Sequence, residues 1–450
     1  MAKKINILTG VKPTHGVMKH SLLAVLLFIA VTATAAAQTS SNQYSPALEE
    51  GLPSTVGMSE ERLSLIDAMI EQSITNQEIP GAVALVARNG KIVYHKAFGT
   101  SNPETGDPYQ TDHIFRIASQ TKAITSTAVM MLWEKGLFRL DDPIARYIPE
   151  FGEATILDTF NEEDSSYTSV KAEDQITIRQ LLNHTSGIGY GIIDGDERIR
   201  KIYQKAGIVD LYTTKAVTIE DNIKTLAQLP LHHNPGEKFT YSEGLDVLGY
   251  FVEVISGKAF DVFLRDHLFE PLGMDDTYFY VPEDKHHRVV PVQTRIEDEW
   301  GFYEHPEKYY DENYPISGAQ TFFSGGAGLT STAKDYATFL QMYLNGGELN
   351  GTRILSRTTV DVIMANQTGD LFGQGNAHYG LAFGVLNEQG AASGGRGSSG
   401  TFDWGGYFNT QYFADPQEQV IGVLLKQTQL VWTDQSGWKF RQLVGAAVDD

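Results

Sequence analysis

The 450-residue chain contains no cysteine. That absence removes disulfides, thiolate nucleophiles, Cys-ligated zinc, Cys-held iron–sulfur clusters and a lipidated N-terminal cysteine together, so covalent chemistry here runs through oxygen or nitrogen. Basic residues are in the minority, with 35 Lys and Arg against 56 Asp and Glu and a formal charge of −21. This balance argues against nucleic acid as a partner, because binding a polyanion needs clustered cations that release counterions. No Gly-x-Ser-x-Gly pentad occurs, against an α/β-hydrolase esterase, and no His-Glu-x-x-His, against a zinc hydrolase. The adjacent pairs His232-His233 and His286-His287 read as surface residues whose side chains diverge, so no metal or organic cofactor is expected. What is present is apolar: 42 % of residues are hydrophobic, with 22 Phe, 21 Tyr and 5 Trp, which excludes long disorder and suggests two or three lobes.

Long apolar runs are also scarce, and the one at Leu22–Val31 is short for a bilayer. It follows Lys3, Lys4, Lys12 and Lys19 and precedes Ala35-Ala36-Ala37, the order of a secretory signal cleaved before Gln38. Residues 1–37 are therefore expected to be a removed signal peptide and the mature protein to be secreted or periplasmic, without stable membrane insertion; a retained anchor is the alternative. Met18 begins a more compact signal and is a second candidate start.

A polar linker is expected over 38–57. Ser59 then suits a helix cap before Leu63, Ile66, Met69 and Ile70. Gly81–Ala87 and Ile92–Phe98 read as strands around Asn89-Gly90, a strong hairpin signal. Helical periodicity dominates the middle, as at Leu245, Leu248, Val252 and Ile255, stopped at Gly257. Strand character returns at Tyr379–Leu386, Asn409–Phe413 and Val420–Lys426, before a last helix from about Gly437. The expected fold is α+β: an antiparallel sheet formed from both chain ends, flanked by helices, with an inserted mainly helical lobe at about 119–320. The main domain is placed at 58–430, completed by the helix in 431–450. Gly390–Gly400 reads as a loop and a candidate pocket rim.

Ser-x-x-Lys occurs at Ser119/Lys122, Ser331/Lys334 and Ser436/Lys439. Ser331 reads as a helix cap and Ser436 as part of the tail. Ser119 precedes a small, mixed apolar helix (Ala123, Ile124, Ala128, Val129, Leu132), where N–H groups converge and the i,i+3 spacing brings Lys122 to the same face. A lysine there can take or steer the hydroxyl proton. Tyr241, in Thr240-Tyr241-Ser242-Glu243, comes just before the Leu245 helix, and a phenol beside a cationic amine ionises more easily than in water. Asp403-Trp404-Gly405-Gly406-Tyr407 opens a strand whose paired glycines permit close backbone approach.

At these three positions the sequence resembles the serine β-lactamase and penicillin-binding-protein superfamily, in its class C-like branch with the family VIII carboxylesterases. Leu181-Leu182-Asn183-His184-Thr185-Ser186-Gly187 and Gly325-Gly326-Ala327-Gly328-Leu329 fit the same branch. The resemblance implies Ser119 as acylated nucleophile, Lys122 as its partner, Tyr241 as base, and the N–H groups of Ser119 and Tyr407 as oxyanion hole. It leaves His184 to pack a turn. Two departures concern substrate: Glu243 stands where class C enzymes carry Asn, and Trp404-Gly405-Gly406 replaces Lys-Thr-Gly. Loss of that cation favours small neutral esters over anionic lactams or peptides, with Arg396 as a candidate replacement charge. Trp404, Gly405, Gly406, Arg396 and Glu243 are the expected substrate-binding residues. A β-lactamase or D-Ala-type peptidase is the alternative, as is a non-catalytic binder of cell-wall fragments.

Overall fold

The computed structural model describes residues 41–305 and 311–450; the expected signal peptide lies outside them. Its main sheet has eight strands: β1 (Glu49–Glu50), β2 (Gly81–Arg88), β3 (Lys91–Gly99), β4 (Ala377–Tyr379), β5 (Gly384–Leu386), β6 (Phe402–Gly406), β7 (Thr410–Asp415) and β8 (Val420–Leu425). Their spatial order is β1-β3-β2-β8-β7-β6-β5-β4. The sheet is thus formed from both chain ends, and the decisive seam is the antiparallel pair β2–β8, with Val83 opposite Leu425 and Arg88 opposite Val420.

Two expectations are corrected. The sheet is mixed, because β1 pairs parallel with β3 at Glu49↔Lys91, so the stretch expected as linker contributes an edge strand. Tyr379–Leu386 is not one strand but a hairpin, with Tyr379 opposite Gly384. Gly380 lies so close to the Ile363 carbonyl that any Cβ would collide with it, which fixes the reversal.

Helices cover both faces. α1 (Leu65–Thr75) and α5 (Ser436–Ala446) lie on one side, where Ile66, Ile70, Phe440 and Val444 form a core with Ala82, Ala84 and Val86 of β2. The opposite strand positions, Val83, Leu85 and Ala87, face the larger core with α2 (Thr121–Glu134), α3 (Gly244–Ser256) and α4 (Ala333–Leu344). Alternate strand residues thus serve two cores, and all eight residues of β2 are buried. α3 ends at left-handed Gly257, φ 68°. The cap of α4 is Thr332, whose side chain accepts from Asp335 N, and not Ser331, which pairs in a short strand with Phe115. Among the described residues no helix is long and apolar enough to cross a membrane.

Candidate active site

Ser119 sits in the single 3-10 turn Ala118–Gln120 that opens onto α2. The turn is held from three sides: Arg116 N donates to Gln427 Oε1 at 2.7 Å, Ile117 N to Leu329 O at 3.1 Å, and Leu329 N to Thr121 Oγ1 at 3.1 Å. The Arg116 side chain is itself buried, with Nη1 donating to the Val290 carbonyl at 2.7 Å. Ala118, with φ 46°, takes a left-handed backbone that costs a non-glycine residue on the order of 1 kcal/mol and so needs this bracing.

Lys122 is buried one turn on, with Nζ 3.4 Å from Ser119 Oγ. Two stronger bonds fix the amine: it donates to the Tyr190 hydroxyl at 2.8 Å and to the Gly326 carbonyl at 2.8 Å. The glycine turn that offers this carbonyl is wedged between two helices. A Cβ on Gly325 would strike the Leu245 carbonyl of α3, and Gly325 O accepts from Thr125 Oγ1 of α2 at 2.7 Å. Asp246 closes the polar floor, accepting from Gly326 N at 3.3 Å; burial pushes its carboxyl up to about 6 against the pull of Lys122 and its hydrogen bonds.

Tyr241 arrives just ahead of α3, half-buried, its ring centroid 4.5 Å from Lys122 Nζ. Its hydroxyl accepts from Trp404 Nε1 at 3.3 Å. His184 lies against it, ring centroids 4.7 Å apart, and packs its turn through the Ser242 hydroxyl, 3.2 Å from Nδ1. Complete burial, with Lys122 nearby, holds that imidazole well below its ordinary pKa and hence neutral.

Tyr407 occupies the hairpin turn between β6 and β7, closed by Asn409 N donating to Gly406 O at 3.0 Å. Gly406 lets this turn approach Ser119, since a Cβ there would strike both the Ile117 carbonyl and the Thr410 hydroxyl; Gly405 has no comparable constraint. The far side is tethered by Asn409 Nδ2, which donates to Asp434 Oδ2 at 2.8 Å, and Asp434 in turn pairs with buried Lys426 at 2.5 Å. The tip that carries the Tyr407 N–H is therefore pinned beside the serine turn on one side and to a buried ion pair on the other.

Ser119, Lys122, Tyr241, Trp404, Gly406 and the Tyr407 turn thus belong to one neighbourhood. Further expectations meet a different arrangement. Glu243 is fully buried; its N–H donates to Gly189 O at 3.1 Å, and burial followed by Asp210 and Asp246 drives its carboxyl well above the ordinary range. It is a neutral interior acid and does not meet substrate. Arg396 is exposed and pairs at 3.1 Å with Asp403, which also binds Arg441 of α5. Adjacent strand residues point to opposite faces, so Arg396 serves the α5 side while Trp404 faces Tyr241. The Gly390–Gly400 segment begins with a short helix; its Gly395, Gly397 and Ser398 line a cavity with Arg441 and Val448, and its Gly395 and Arg396 line another with Asp403, Trp404 and Gly405. The histidine pair 232–233 is likewise internal: His232 meets Asp194 at 2.9 Å and His233 the Thr240 hydroxyl at 2.8 Å.

Tyr190 escaped the sequence reading. Its signal is a tyrosine between two glycines, just past the Leu181–Gly187 segment; a Cβ on Gly189 or on Gly191 would crowd Asp194 or Asp210. Burial first, then neighbouring Tyr241 and Asp246, drives its phenol well above the usual value, so it stays protonated.

The sequence matches the family described as Beta-lactamase over residues 66–446. The chain belongs to the beta-lactamase family. Within it the protein is a serine hydrolase related to the family VIII carboxylesterases. Esterase EstB of Burkholderia gladioli is 31 % identical over 377 residues, which cover 81 % of this chain and 90 % of EstB. The solved structure of EstCE1, a hydrolase with promiscuous acyltransferase activity, aligns with a TM-score of 0.72 at 26 % identity, covering 87 % of this chain and 99 % of EstCE1. The LovD6 mutant of simvastatin synthase from Aspergillus terreus shares the fold, with a TM-score of 0.70 at 21 % identity over 87 % of this chain and 98 % of that one.

Proposed function

We propose that this beta-lactamase family member is a carboxylesterase that cleaves small neutral esters through an acyl-enzyme on Ser119. The observation that carries the reading is the hydrogen bond from Trp404 Nε1 to the Tyr241 hydroxyl. An uncharged aromatic donor stands where the related lactamases place a cation, so a substrate carboxylate finds no partner there. EstB, which matches most of the chain, supports the same reading.

Tyr241, in the phenolate form this step requires and with the Lys122 amine beside it, takes the Ser119 proton as Oγ bonds to the ester carbonyl carbon. The carbonyl oxygen becomes an oxyanion on the N–H groups of Ser119 and Tyr407. As the C–O bond to the alcohol breaks, Tyr241 delivers the proton to the leaving oxygen. Water then gives a proton to Tyr241 as its oxygen adds to the acyl carbon, and Tyr241 passes that proton to Ser119 Oγ as the acyl–Oγ bond breaks and the acid leaves. Lys122, fixed by Tyr190 and Gly326, keeps its place through both half-reactions. The signal-like residues 1–37 support an exported enzyme.

A fluorophosphonate probe tests this directly: it should label Ser119, and Ser119→Ala should abolish labelling and lower kcat for p-nitrophenyl acetate by roughly a thousandfold or more. A folded Ser119→Ala that keeps wild-type turnover overturns the assignment. Nitrocefin or a D-Ala-D-Ala peptide turned over faster than any neutral ester would instead select the lactamase or peptidase reading. An unlabelled wild type without turnover would select a non-catalytic binder.

A further inference from the structure

Trp404 is one member of a longer aromatic run. Its ring meets Tyr379 edge-on at 5.3 Å and Phe372 at 6.2 Å, and Phe372 in turn lies 4.8 Å from Phe239 and 5.6 Å from Tyr379. Tyr379 is buried, whereas Trp404, Phe372 and Phe239 are half-buried and Leu371 is exposed. The run therefore starts at Tyr241 and ends at solvent. Neutral His184 backs it, 5.6 Å from the Phe239 ring and 5.3 Å from Tyr379. Phe372 comes from the loop before β4, and backbone reversals at Gly369, Gly373 and Gln374 (φ 57°, 79° and 49°) fold that loop back over Trp404. On the Tyr407 side the rings are already used: Tyr212, Tyr314 and Phe408 are buried, with Tyr212 stacked on Tyr314 at 5.0 Å and tilted against Phe408 at 5.0 Å.

Reaction geometry orients the ester in this frame. The leaving oxygen must lie beside the group that protonates it, and that group, Tyr241, is hydrogen-bonded to Trp404. The substituent on the leaving oxygen is then the part of the substrate nearest the Trp404 face. We propose that Phe372 and Trp404 form the pocket for the alcohol part of the ester, and that it selects alcohols carrying an aromatic or branched apolar group. This rests on the carboxylesterase reading. Phe372 is a specificity-determining residue in it: it touches no reacting atom, and its ring extends the Trp404 surface outward, where offset and edge-on aromatic contacts are favourable.

Two matched series of esters test the pocket with the full-length enzyme. In one the acid is fixed as acetate and the alcohol varies from methyl to benzyl; in the other the alcohol is fixed as methyl and the acid varies from acetate to phenylacetate. For the wild type, kcat/KM should favour benzyl over methyl acetate. Phe372→Ala should reduce that preference roughly tenfold, as expected for losing one apolar contact, while Phe372→Tyr restores it. The phenylacetate-to-acetate ratio should not move. A preference that survives ring removal in a variant of unchanged Tm overturns the proposal, and so does a shift confined to the acid series. Should Phe372→Ala fold poorly, Phe372→Leu keeps the bulk without the ring and must show the same loss. Absence of Ser119-dependent turnover in either series removes the carboxylesterase reading and the pocket with it, whereas turnover without alcohol preference removes the pocket alone.

Discussion

The Lys122 and Trp404 regions both meet Tyr241, yet they are built from opposite materials. The groups that fix Lys122 are buried and polar: a phenol and a backbone carbonyl accept from the amine, and an aspartate accepts from the same glycine turn. Around Trp404 the groups are aromatic, half-buried apart from buried Tyr379, and joined by ring contacts with a single polar link, the indole N–H. Buried hydrogen-bond networks tolerate little change, because every unpaired member costs the desolvation of its partner. Aromatic surfaces open to solvent accept substitution with graded effects. The difference teaches that one side of Tyr241 fixes what reaction occurs and the other which ester undergoes it.

The heaviest blow to this comparison should come from Lys122→Met, which fits the volume but leaves the Tyr190 hydroxyl and Gly326 carbonyl without their donor. We expect kcat on p-nitrophenyl acetate to fall by about a thousandfold, with fluorophosphonate labelling of Ser119 slowed in parallel. A loss below tenfold would deny the polar region its chemical role. Trp404→Lys should act more mildly and in another direction, raising kcat/KM for nitrocefin relative to a short neutral ester by roughly ten- to a hundredfold. A ratio that stays put in the folded variant would move the control of specificity away from this wall.

The smallest effect sharpens the account of the polar side. Glu243 is neutral in the folded protein because its pKa is raised well above the ordinary value, first by burial and then by Asp210 and Asp246. As pH rises above the unfolded-state value, the unfolded chain ionises while the folded one stays protonated, so stability falls by about 1.4 kcal/mol per pH unit until the folded carboxyl ionises too. Glu243→Gln, which cannot ionise, should therefore match the wild type in urea denaturation near pH 4 and become progressively the more stable of the two from pH 5 upward. Parallel profiles would show that Glu243 is not held neutral.

Local signals carried most of the fold in the sequence. Asn89-Gly90 marks the hairpin between β2 and β3, Gly257 ends α3, and Ser59 accepts from Arg62 N as a cap should. Each is decided by residues within one turn of one another. The failures come where distant chain decides. An apolar run such as Tyr379–Leu386 cannot reveal that Ile363 forces it to reverse, and Ser331 loses the cap to Thr332 because it pairs across to Phe115. In the site, Ser119, Lys122 and Tyr241 were legible because their motifs are short. Glu243 was misplaced because its neighbour Tyr241 faces the site while its own side chain turns inward. Arg396 was misplaced because strand alternation sends Asp403 to the other face, and Tyr190 was missed because its partner Lys122 is far off in sequence.

The seam between β2 and β8 also sets when the enzyme comes into being. Ser119 and Lys122 leave the ribosome more than half a chain before the turn bearing Tyr407, and β8, which joins that hairpin to the N-terminal strands, comes later still. Contacts so distant in sequence form slowly, since loop closure must be met before the pairing rewards it. On the proposed mechanism an unfinished chain therefore possesses Ser119 but not the Tyr407 N–H that would hold the negative charge of attack. On that mechanism acyl transfer waits for β8 to close the sheet.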